Sequence, residues 1–151
     1  MKLAEALMIR AQHKQDIENL KKRIQENVRI QEGDDPLDNP TQLVAKAEAI
    51  NDSLLDLVKR INTTNTATRL EDGMLLSSAL AERDALLKQR SIYKAVIDGA
   101  QDRRMMFSRD EIRRVLTVDV SEYQQAFDKL SAEYRSLDAR IQAANWNAEL
   151  I

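Results

Sequence analysis

Residues 43–68 read LVAKAEAINDSLLDLVKRINTTNTAT. Leu43, Ala47, Ile50, Leu54, Leu57 and Ile61 recur at alternating steps of four and three. That cadence puts them on one stripe of an α-helix, because side chains three and four apart lie over one another on a helix surface. The stripe carries on to Thr64 and Thr68, but its chemistry changes there. Six of the seven residues in 62–68 are Asn or Thr and none is charged, in a chain that is 32% charged. Uncharged hydrogen-bonding groups at the end of an apolar seam predict a polar layer packed against a neighbour.

Working backwards, Glu32, Gly33, Asp34, Asp35, Pro36, Asp38 and Pro40 form an acidic loop holding both prolines. Asn39 reads as the N-cap of the following helix, with Pro40 at its first position and Gln42 three residues after the cap. A first helix is predicted over about 2–30 on Leu3, Leu7, Ile17, Leu20, Ile24 and Val28, with a polar middle at Arg10, His13 and Lys14.

Working forwards, Asp72-Gly73 is a turn signal. Residues 66–70 and 74–76 beside it allow a tiny β-hairpin. Ser77 is the expected N-cap of a third helix reaching about Arg104, with Arg83 and Arg90 on or beside its seam. Ser108 to Glu111 is a capping box for a short helix ending near Leu116. Thr117 to Val120 reads as an extended connector. Asp119 with Glu122 caps a fourth long helix on Tyr123, Phe127, Leu130, Tyr134, Leu137, Ile141 and Ala144.

The expected fold is all-α. It is an antiparallel long-helix bundle or paired helical hairpins, with four main helices plus one short helix in a single domain, 1–151. Composition agrees: 3 Gly, 2 Pro and 4% aromatic residues suit long helices packed by Leu, Ile, Ala and Val. Strict heptad spacing favours coiled-coil-like crossing, and thin hairpins leave apolar stripes that self-association would cover, so a homo-oligomer is expected. A net charge of −2 argues against a general nucleic-acid binder. No Cys is present, which excludes disulfides and thiolate chemistry and fits the cytoplasm. Glu5 and Arg10 break any signal-peptide core, and no window approaches the roughly 20 apolar residues of a membrane span.

Several blocks in order resemble a family of uncharacterised bacterial helical proteins, some labelled septicolysin. They are Lys2 to Leu7, Gln31-Glu32-Gly33, Arg60 to Asn65, Asp72-Gly73, Ala79 to Asp84, Thr117 to Val120 and Leu137 to Trp146. The resemblance implies an all-helical protein of unknown activity that forms higher oligomers. Met74-Leu75 stands where the resemblance leads one to expect Thr-Leu. The cytolysin activity that the label suggests finds no export signal or spanning segment here.

The candidate binding cluster is Asn62, Asn65 and Thr68 with Arg83, Asp84 and Arg90. As a site, Arg offers a planar fork to a carboxylate or phosphate. As structure, the same groups form a register-setting polar network in which Arg83 pairs with Asp84 or Glu82, and this reading is preferred. Arg103, Arg104, Arg109, Arg113 and Arg114 make a second, anion-binding candidate, but interleaved acids favour a salt-bridged face. The acidic loop lacks EF-hand spacing, and His13 lacks partner ligands, so no metal or cofactor is expected. A divalent-metal carboxylate enzyme would need paired acids on facing helices. Glu82 with Asp84 and Asp98 with Asp102 fit that need poorly.

Overall fold

A computed structural model describes residues 1–101 and 114–151. Among them are α1 (Leu3–Asn27), α2 (Pro40–Ala67), α3 (Leu76–Ala100) and α4 (Val120–Asn147), with no strand. The fold class is all-α. The chain divides into two compact units, Met1–Arg69 with Gln142–Ile151, and Leu70–Ile141.

The first unit is built on the antiparallel pair α1 and α2. Asn27 ends α1 two residues short of Arg29 and three short of Ile30. Its amide donates to Arg23 O at 2.8 Å and its Oδ1 accepts the Asp38 N–H at 3.0 Å, which turns the chain toward α2. Asn39 caps α2 as its sequence position predicts, accepting from the N–H groups of Thr41 (3.0 Å) and Gln42 (3.3 Å) ahead of the helix's free donors. Leu3, Ala4, Ala6, Leu20, Leu43, Leu57 and Ile61 are buried.

Two residues after α4, the tail lies against the start of α1. Lys2 and Glu149 form an antiparallel bridge. The Leu3 N–H donates to Ala148 O and the Leu150 N–H to Met1 O, both at 2.9 Å. Lys2 Nζ reaches Glu149 at 2.6 Å, and the terminal ammonium reaches it at 3.2 Å. Glu5 receives the Lys2 N–H at 2.8 Å, closing the first turn of α1.

The second unit is the antiparallel pair α3 and α4. Arg83 meets Asp138, Arg90 meets Phe127 and Tyr134, and Tyr93 meets Tyr123, so positions advance along α3 as they recede along α4. Leu70, Leu76, Ala79, Leu130, Leu137 and Ile141 are buried. Asp119 accepts the Ser121 N–H at 3.0 Å in front of α4, the cap its position predicts.

Around Asp72 one expectation holds in reduced form and another is corrected. No strand forms, since Thr66 and Ala67 belong to α2 and α3 has begun by Leu76, but Arg69 and Leu75 on either side of the turn are isolated β-bridge residues. A tight turn lies between them. In it the Leu70 N–H donates to Met74 O at 2.8 Å and the Gly73 N–H to Leu70 O at 2.9 Å. Gly73 has φ +85°, a conformation glycine adopts without a Cβ clash. Nor is Ser77 the N-cap. Asp72 Oδ1 takes the Met74 N–H at 3.1 Å and fixes the approach early, so Leu75 stands at the cap position and Ser77 lies inside the helix. The end of helix three at Arg104 and the start of the predicted short helix at Ser108 fall outside the described residues, but the last turn of that short helix is corrected: Arg114, Val115 and Leu116 are not helical.

Candidate polar layer and the seam between α3 and α4

The Asn/Thr block is helical through Ala67 and continues the stripe of α2. Its threonine hydroxyls are satisfied within the helix. Thr63 donates to Lys59 O (3.1 Å), Thr64 to Arg60 O (2.9 Å) and Thr66 to Thr63 O (2.9 Å). Each hydroxyl bonds back to its own helix, so the block needs no outside partner for these donors. Thr64 is fully buried, and its Oγ1 also accepts the Ile151 N–H at 3.0 Å. Arg60 Nε donates to Ile151 O at 3.2 Å. Thus the layer's working member is Thr64, which binds the tail. Asn65 and Thr68 are half-buried, and Asn62 is exposed.

These three residues belong to the first unit, whereas Arg83, Asp84 and Arg90 belong to the second. Arg83 holds Asp138 at 3.2 Å and Asp84 at 3.6 Å. Arg90 lies over two rings of α4, 5.7 Å from the Phe127 centroid and 5.4 Å from that of Tyr134. A guanidinium is favoured over an aromatic face, and its stem covers apolar surface. This accounts for an arginine on a seam. The Tyr93–Tyr123 edge contact, at 5.7 Å, continues the same aromatic strip.

Arg140 pairs with Asp72. The Met74 N–H first, and the Arg140 guanidinium after it, hold the Asp72 carboxyl below the ordinary carboxylate range. Sequence reasoning missed Asp138 and Arg140. Both stand on α4 beside the apolar heptad row, and the charge at Asp138, one residue past seam position Leu137, was the available signal. Arg83 Nε and Arg140 Nε are buried without a partner.

Beside the seam runs an open cleft of about 610 Å³. Ala85, Ala132 and Ser136 are its small walls, Leu86 and Leu137 its floor, and Glu82, Gln89, Glu133 and Arg140 its rim.

Of the arginine cluster, Arg103, Arg104, Arg109 and Arg113 lie outside the described residues, and Arg114 is exposed. Asp38 of the acidic loop is engaged by Arg23 at 2.8 Å. Among the described residues no group of three His, Cys, Asp or Glu is placed to hold a metal ion. Among them, too, no helix is long and apolar enough to cross a membrane.

Comparison with known proteins adds two findings. Residues 10–150 match a family of unknown function, DUF6847. The chain is also similar to a functionally unknown conserved protein from Corynebacterium diphtheriae, known from its crystal structure. The two are 40% identical with a TM-score of 0.93, over 100% of this chain and 99% of that one. No curated protein matches.

Proposed function

The chain belongs to the DUF6847 family, whose function is unknown, and from its own residues we propose that it is a self-associating helical interaction protein. The observation that carries this reading is the incomplete cover of α3. Of its 25 residues, those fully buried are Leu76 and Ala79, both in the first turn. Leu86, Leu87, Tyr93, Val96 and Ile97 stay half-buried, and Ile92 is 63% exposed. A two-helix layer leaves such residues short of cover, and a coiled-coil-like partner supplies it. Light scattering at micromolar concentration is expected to give at least twice the chain mass. A monomeric mass across that range would sink the proposal. The lack of Cys supports a cytoplasmic location.

A second reading, binding of a small anion, is favoured by one observation, the unpartnered buried Nε–H donors of Arg83 and Arg140. Of the candidate cluster it retains Arg83, with Arg140 in place of the Asn62, Asn65 and Thr68 group. Phosphate or a dicarboxylate should then raise the melting temperature of the native chain and not that of Arg83→Met. Equal shifts in both, or none in either, would remove this reading. The cytolysin label draws no support from the helices described above.

A further inference from the structure

We propose that the cleft beside the α3–α4 seam is the self-association surface, and that its occupant is the same cleft of a second copy, related by a two-fold axis along the hairpin. This rests on the self-association reading and adds to it a surface and a register.

The argument begins with the outer row of α3. Ser78, Glu82, Ala85, Gln89 and Ile92 follow at steps of four and three, and all are exposed. They form a second heptad row, turned from the seam toward the cleft, where Glu82, Ala85 and Gln89 form its α3 side. On α4 the facing row is Ala132, Ser136 and Arg140, with Glu133 beside it. The middle of both rows is Ala or Ser. Small side chains allow two helix axes to approach closely, and large ones would hold them apart.

Symmetry then fixes the pairing. A two-fold along the hairpin axis leaves every layer at its own height, so α3 of one copy runs antiparallel to α4 of the other in the register seen within one chain. The Arg83–Asp138 pair sets that register. Ala85 falls opposite the partner's Ser136, small against small, and Glu82 falls opposite the partner's Arg140. Gln89 falls at the level of the partner's Ala132 and Glu133. An acid meets a base at the rim and no like charges are opposed there, which is the complementarity that selects one partner over others. The product is a four-helix bundle with alternating helix directions.

A two-fold perpendicular to the hairpin would instead set α3 against α3 and α4 against α4, so that Ala85 and Ser136 would each fall near their own copies rather than opposite one another.

The lack of cysteine makes the test direct. Chains carrying Ala85→Cys and chains carrying Ser136→Cys are mixed and mildly oxidised, with Asn51→Cys as an exposed control. The disulfides are then read by mass spectrometry. All three positions are exposed, so the variants should fold. The expected result is a mixed disulfide between Ala85→Cys and Ser136→Cys, several-fold above any pairing of either variant with itself or with the control. Predominant pairing of Ala85→Cys with itself would overturn the axis. A dimer by light scattering with no cross-link above the control would overturn this surface while self-association stands. A monomer throughout would overturn both.

Discussion

Replacing Ile61 with alanine is expected to lower the unfolding free energy by about 2–5 kcal/mol. Ile61 is 1% exposed and is the last apolar residue of the α2 stripe. Its removal takes away the transfer free energy of the missing carbons and leaves a cavity that the neighbouring helices fill only in part. The slight gain from alanine's better helix propensity, about 0.5 kcal/mol, does not offset this. Leu55 is on the same helix but 53% exposed, and its truncation should change stability by less than about 1 kcal/mol. Chemical denaturation of both variants checks the difference, and equal losses would show that Ile61 is not a core residue. Both curves should show one transition, because α4 is a single helix running through both compact units. Two resolved transitions would divide residues 1–151 into separate domains.

Removing residues 148–151 is expected to be comparably severe, about 2–5 kcal/mol, from the hydrogen bonds alone. The Leu3 N–H loses Ala148 O, Thr64 loses the Ile151 N–H and Arg60 loses Ile151 O. Leu3 and Thr64 are fully buried, so groups without partners are left where water reaches them poorly. Acid should loosen the same contact more gently. Hydrogen bonding from Lys2, then from the terminal ammonium, holds the Glu149 carboxyl below its ordinary value. A carboxyl depressed in the folded state stabilises the fold above its ordinary pKa, and that contribution fades as pH falls through the folded value. Glu149→Gln should therefore flatten the acid limb of the stability profile, and an unchanged limb would count against the ion pair.

Helix existence and type were legible because heptad repetition is a strong local signal. Leu43 to Ile61 and Tyr123 to Ile141 needed nothing beyond their spacing. The Asn39 and Asp119 caps were legible for the same local reason. Readings failed where the deciding contact was distant or counter to propensity. Thr66 to Leu70 reads locally as a strand beside Asp72-Gly73 because threonine is β-branched, whereas α2 runs on through Ala67. Ser77 lost the cap position to a turn set by the Asp72 side chain five residues earlier. Asp138 was overlooked as the partner of Arg83 because the two are 55 residues apart. The tail left no trace in the sequence, since backbone pairing of 148–150 with 1–3 has no periodicity to read.

That tail contact also bears on how the chain folds and unfolds. The hairpins join residues close in sequence, whereas the Lys2 Nζ–Asn147 O bond spans 145 positions. The entropy of closing so long a loop is met only once the helices between have formed, which makes this contact late on the folding path. A late contact is absent from the transition state, so losing it speeds unfolding and leaves the folding rate nearly unchanged. The short strap at residues 148–151 is, in kinetic terms, a latch that sets how long the native state lasts.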